Sequence, residues 1–273
     1  MTTARSWTAA LALLMLAGSP ALGGERISIA GGERIGIIGD DDRAILDSAE
    51  WPWSAVGRVN RTWGGYCTGT LVAAEVVLTA AHCIFDARTR RWIKPEELHF
   101  LAGYRRGGYL FHATVRRVVA PLTPPPRQGG VAGNDWPADD WALLVLGEAA
   151  TVAPIPVKAL DDGEAAGDGE LHVMRAGYGQ DRPHLLSLHD DCRITGRLAA
   201  GRVLKHGCDA LQGDSGSPLL VRSGDGVFVI GVTSGVARIG TVQQGMAVGA
   251  AAFLAALRAL DQPDEAGDGR PRN

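Results

Sequence analysis

Gly213-Asp214-Ser215-Gly216-Ser217-Pro218, running into the apolar Leu219-Leu220-Val221, is the stretch on which the reading turns. A serine hydroxyl is a weak nucleophile near neutral pH and needs a neighbouring base, for which neutral imidazole is the best match. The imidazole must present one nitrogen to the hydroxyl and tolerate becoming charged, and a buried carboxylate on its far side does both. Two upstream stretches offer those groups. Thr79-Ala80-Ala81-His82-Cys83 follows the apolar Val76-Val77-Leu78, and Asp140-Trp141-Ala142-Leu143-Leu144 follows a Pro/Gly-rich loop. Ser215 is therefore expected to be the nucleophile, His82 the general base and then acid, and Asp140 the orienting carboxylate. Gly213 lets the backbone turn so that its N–H and that of Ser215 point to one spot, the expected oxyanion hole. Each stretch has a plainer reading: a Gly-rich turn at 213–218, an ordinary histidine at 82, a one-residue slip to Asp139. The residues on both sides of His82, and the apolar run that follows Asp140 directly, weigh against these.

Outward from these stretches the chain shows short β-like runs bounded by Gly, Asn, Asp or Pro. They are Ser54–Val59, Tyr66–Val72, Val76–Ala80, Phe111–Val119, Ala142–Leu146, Leu171–Ala176, Pro218–Val221 and Val227–Thr233. Such spacing predicts an all-β protein of barrels or a sandwich. Ala250 to Leu260 is Ala/Leu-rich and predicts one C-terminal helix. Pro121–Pro137 and Ala159–Gly169 read as surface loops, the second as the connection between two halves.

The Thr-Ala-Ala-His-Cys and Gly-Asp-Ser-Gly-Ser-Pro strings resemble those of the chymotrypsin/trypsin family of serine peptidases, and the order His, Asp, Ser is that family's order. Ile37-Ile38-Gly39-Asp40-Asp41-Asp42-Arg43 is similar to the mature N-terminus of bacterial glutamyl endopeptidases, a branch of it. The resemblance covers roughly Ile37 to Leu260. It implies two packed six-stranded Greek-key barrels with a C-terminal helix, and a secreted endopeptidase acting on protein or peptide substrates. The expected organisation is a signal peptide over 1–23, a linker or pro-segment over 24–36, a peptidase domain over 37–260 and a disordered tail over 261–273. Within the peptidase domain the first barrel is expected at about 45–155 and the second at about 165–250.

The N-terminus supports export. Arg5, the short apolar run Ala9–Gly18, the break at Ser19-Pro20 and the small residues of Ala21-Leu22-Gly23 form a signal-peptide pattern with cleavage after Gly23, toward the periplasm or the medium. In an oxidising compartment Cys67, Cys83, Cys192 and Cys208 suggest two disulfides. Of the three connectivities, Cys67–Cys83 with Cys192–Cys208 is favoured, and the first resembles the family's bridge beside the catalytic histidine. A zinc site is weakly supported, since no C-x-x-C or C-x-x-H pair is present; neither metal nor cofactor is expected. The 273 residues carry a formal charge of -3, which gives no reason to invoke nucleic acid or an anionic membrane. A monomer is expected.

The resemblance also places the specificity pocket. Asp209 stands six residues before Ser215, where trypsin-like members carry a pocket carboxylate, with Gln212, Thr233, Ser234 and Gly235 as further lining. A carboxylate there favours Arg or Lys before the scissile bond. Thr233 stands where the glutamate-cutting branch has histidine, so an acidic preference is the least favoured, after a small or apolar one. The resemblance further implies a zymogen. An activating protease would free an amine at Gly36 or Ile37, to pair with Asp214. Two rival functions share the residues: an esterase, disfavoured by Ser217 in place of the elbow glycine and by triad order, and a non-catalytic binding protein on the same scaffold.

Overall fold

The computed structural model describes residues 34–121, 137–161 and 171–261. The expected signal peptide, most of the linker, the larger part of both surface loops and the tail beyond 261 lie outside the described residues. No helix among the described residues is long and apolar enough to cross a membrane.

Twelve strands form two closed barrels. The first holds β1 (Val56–Arg61), β2 (Tyr66–Ala73), β3 (Val76–Thr79), β4 (Leu98–Ala102), β5 (Phe111–Val119) and β6 (Ala142–Leu146). They close antiparallel in the order β1-β2-β3-β6-β5-β4. The second holds β7 (His172–Gly177), β8 (Ser187–Leu198), β9 (Val203–His206), β10 (Pro218–Ser223), β11 (Gly226–Ile239) and β12 (Val242–Gly249). Their order is β8-β7-β10-β11-β12-β9, closed by β8 against β9, so both barrels share one cyclic connectivity. Closure pairs each barrel strand with neighbours on both sides. A short strand, Ala44–Ile45, pairs outside β8.

The first barrel follows the two-residue period of a strand. In β4, Leu98, Phe100 and Ala102 point inward and are buried, while His99 and Leu101 point out. β6 is buried at every position and packs between β3 and β5. Truncating Phe100, which is fully buried, would cost about 3–5 kcal/mol. The second barrel packs Val173, Ile194, Leu204, Leu219 and Ile230 into an apolar core, and its half of the molecule also buries polar groups. Arg175, Ser187, His206, Asp209, Asp214, Ser217 and Thr233 are each 1% exposed or less.

The sequence runs anticipate β1–β3, β5–β7, β10 and the first half of β11, within a residue or two at most ends. They do not anticipate β4, β8, β9 or β12. β8 contains His189-Asp190-Asp191-Cys192-Arg193, with Asp191 at φ +61°, and no alternation survives there. β12 opens on Val242-Gln243-Gln244-Gly245. Pairing with neighbours on both sides makes these strands, not side-chain preference. The helix is shorter than expected. Ala250–Ala252 is a 3-10 turn, and the α-helix α1 spans Leu254–Asp261. Phe253 and Leu257 seat it on the core beside Trp141, whose ring lies 6.1 Å from that of Phe253.

The disulfides are Cys67–Cys83 and Cys192–Cys208, with Cα separations of 6.0 and 5.1 Å. Each closes a sixteen-residue interval and stabilises by about 3 kcal/mol, chiefly by restricting the unfolded chain.

Candidate active site

His82 lies in a 3-10 turn, Ala81–Ile84, directly after β3. Cys83 ties that turn to Cys67 on β2. Asp140 sits just ahead of β6, fixed in place by the buried Trp141 that follows it. β3 and β6 are hydrogen-bonded neighbours, which brings the two residues together. Asp140 Oδ1 accepts the His82 backbone N–H at 2.9 Å, and Oδ2 stands 2.8 Å from Nδ1. An ionised carboxylate only accepts, so Nδ1 carries the proton and Nε2 the lone pair. The Ser234 hydroxyl also donates to Asp140 Oδ2. Ser234 reaches it because β11 bulges there: Thr233 pairs with Ala247 and Gly235 with Met246, leaving Ser234 outside the register.

Burial opposes charge on both members, and the pair more than offsets it. The His82 imidazole, 13% exposed, would be pushed down by desolvation, but the charge and hydrogen bond of Asp140 leave it above its ordinary value. Burial would raise Asp140, but His82 and the Ser234 hydroxyl hold it below the usual carboxylate range.

The second barrel brings in Ser215 on a loop that needs two glycines. Gly213 has φ +94°, and a Cβ there would stand 2.5 Å from Tyr178 O. Gly216 has φ +82°, and a Cβ there would stand 2.2 Å from both Thr68 O and Thr79 Oγ1. No L side chain fits either position. Thr68, on β2, fastens this loop to the first barrel. Its N–H donates to Ser215 O at 2.9 Å and its hydroxyl to Gly213 O at 2.9 Å. The Thr79 hydroxyl donates to Thr68 O at 2.8 Å. From within the second barrel, Gly216 N–H donates to Thr233 O at 2.8 Å. Cys83 Sγ lies 3.7 Å from Ser215 O and 3.9 Å from His82 Nε2, so the Ser215 loop and the imidazole share one neighbour. Cys67, His82 and Cys83 cluster tightly, yet both sulfurs are bonded to each other and neither is the thiolate a metal would take.

The sequence matches the trypsin family over residues 44–256. The chain belongs to the trypsin family. It is 28% identical over 185 residues to a trypsin of Saccharopolyspora erythraea, covering 62% of this chain and 74% of that one. It is 30% identical over 219 residues to the suppressor of tumorigenicity 14 protein homolog of Bos taurus, covering 69% of this chain and only 24% of that much longer protein. A solved Glu endopeptidase in complex with MPD superposes with a TM-score of 0.65 at 19% identity, over 83% of this chain and all of that one, which shows a common fold. As a trypsin-family member the protein is a serine endopeptidase, a hydrolase of protein or peptide substrates.

Two residues with roles expected from the family have partners within the uncut chain. Asp214, expected to await a freed amine, faces Arg175 of β7, with Oδ1 2.6 Å from Nη1 and both side chains wholly buried. Its Oδ2 accepts the Leu211 N–H at 2.9 Å. Asp214 already has a cationic partner within the chain. Asp209 is wholly buried, and its Oδ1 accepts the Ile38 N–H at 2.8 Å, while its own N–H donates to His189 Nδ1 at 3.0 Å. The carboxylate is thus engaged with the entering N-terminal segment. Ala210 N–H to Gly36 O and Gly36 N–H to Gln243 Oε1, each at 2.8 Å, fasten the same segment.

The other expected pocket residues are spread around the nucleophile loop. Gln212 is exposed, Thr233 is buried with its backbone on Gly216 and Ser217, and Gly235 is half-buried. Ser234 meets Asp140 through its hydroxyl. Sequence reading missed Thr68, Thr79 and Arg175. Nothing local marks the threonines. Arg175 had a signal: one cation in the apolar run Val173-Met174-Arg175-Ala176, which must find an anion if both faces are buried.

Proposed function

We propose that the protein cleaves peptide bonds through an acyl-enzyme on Ser215. His82 Nε2 takes the Ser215 proton and later delivers it to the leaving amine. Asp140 holds the tautomer and stabilises the imidazolium. The N–H groups of Gly213 and Ser215 receive the oxyanion. The observation that carries this reading is the double grip of Asp140 on His82, at 2.9 Å to the backbone and 2.8 Å to Nδ1, which fixes both orientation and tautomer. The esterase is not favoured by family, and the non-catalytic scaffold is not favoured by family or by the intact histidine–aspartate pair.

Export with removal of a signal peptide fits the two disulfides. Release of a pro-segment by an activating protease belongs to the same reading; in the uncut chain the charge of Asp214 is met by Arg175. The test of the whole reading is labelling by a serine-directed fluorophosphonate. The wild type is expected to label at Ser215 and to hydrolyse peptides, while Ser215→Ala does neither and keeps its fold. More than a few per cent residual hydrolysis in Ser215→Ala would overturn the assignment.

A further inference from the structure

We propose that His99 and His112 form a two-imidazole site for a divalent transition-metal ion of the zinc, copper or nickel class. The site lies on the outer wall of the first barrel and takes no part in the triad. β4 and β5 are antiparallel neighbours, with His99 opposite Thr114 and Leu101 opposite His112, which makes the two histidines diagonal partners. The strand period aims Phe100, Phe111 and Ala113 into the core and leaves both imidazoles on the solvent side.

The two ring nitrogens face each other as hydrogen-bonding partners, at a spacing close to that of two ligands on one ion. His99 Nδ1 lies 3.2 Å from His112 Nε2, with ring centroids 5.4 Å apart and planes 18° apart. Two nitrogens bound to one tetrahedral zinc at about 2.0–2.1 Å are separated by about 3.3 Å. Nitrogens turned toward each other at this range hold at most one proton between them, and a metal ion can take its place. The other nitrogen of His99, Nε2, is within 3.4 Å of the Thr62 hydroxyl, an outer contact that fixes ring orientation as it does for metal-ligating histidines. The Thr114 hydroxyl lies 3.5 Å from His99 Nδ1, and the Tyr109 ring lies 5.7 Å from that of His112. Imidazole selects zinc, copper or nickel over calcium or magnesium. Two protein ligands leave the remaining positions to water, which suits a surface site that pins β4 to β5.

The test is calorimetric titration of zinc chloride into the full chain, with Ser215→Ala as background to prevent self-digestion. One equivalent is expected to bind and to raise Tm. His99→Asn and His112→Asn should each abolish that equivalent, whereas His172→Asn, at another exposed histidine, should keep it. Copper(II) in the same protein should show hyperfine coupling to two nitrogens by electron paramagnetic resonance. Circular dichroism checks that the variants fold, and His112→Gln supplies a second substitution if His112→Asn does not. Absence of zinc binding to the parent protein overturns the proposal. So does zinc binding that survives both substitutions, which with inhibition of hydrolysis in the wild type would assign the ion to His82.

Discussion

Arg175→Met removes the cationic partner of Asp214 and leaves the volume nearly filled. Both side chains are wholly buried and 2.6 Å apart, so solvent cannot take over the role of the guanidinium. Breaking a buried pair from one side costs about 3–5 kcal/mol, because the remaining charge stays desolvated. For a domain of this size about 1 kcal/mol moves Tm by roughly 2–4 °C, so the expected fall is roughly 6–20 °C. Asp214 directly precedes Ser215, and its Oδ2 holds the Leu211 N–H, so the loop that carries the nucleophile should loosen as well. Fluorophosphonate labelling of folded Arg175→Met should therefore slow, at temperatures well below its Tm. The double variant Arg175→Met/Asp214→Asn removes the stranded charge and keeps an acceptor for Leu211. It should recover most of the lost stability, measured by urea unfolding. A single variant within about 1 kcal/mol of wild type, or a double variant less stable than the single, would refute the argument.

Asp140→Asn should keep the fold but lower kcat by about 10⁴-fold, as loss of the orienting carboxylate does in triads of this type. In the wild type the acid limb of kcat/KM should have its midpoint above 6.5, since Asp140 raises His82; Asp140→Asn should move the limb down. His206 is wholly buried, with Nδ1 accepting the Cys208 N–H, and burial with Arg175 nearby pushes it down to about 3. The unfolded chain then binds a proton below about 6.5 that the folded chain refuses, so stability should fall as pH drops from 6.5 toward 3. Urea midpoints across that window should flatten in His206→Gln. Asp209→Ser should weaken anchoring of Gly36–Ile38 and cost about 1–3 kcal/mol by stranding the Ile38 amide. The ranking of peptides with Arg, Ala, Leu or Glu before the scissile bond should stay unchanged. A lost Arg preference would return Asp209 to the pocket.

The sequence by itself was enough for the residues whose chemistry is written locally. His82 and Ser215 stand in strings that fix their own backbone, and the two glycines around Ser215 announce positive φ. The two sixteen-residue cysteine intervals, and strands such as β5 whose first half alternates, were legible for a related reason: the signal lies within one short stretch of chain. Tertiary structure decided whatever depends on a partner far along the chain. Strands β8 and β12 exist because neighbours on both sides take up their backbone groups. Ser234 was read only as pocket lining, and the bulge in β11 adds its contact with Asp140. The carboxylates of Asp209 and Asp214 could each be read as waiting for a ligand or an amine. Folding gives Asp209 the Ile38 amide and Asp214 the guanidinium of Arg175, 39 residues earlier in the chain. A buried charge must be matched by whatever the fold brings within about 3–4 Å, and local sequence does not specify that neighbour.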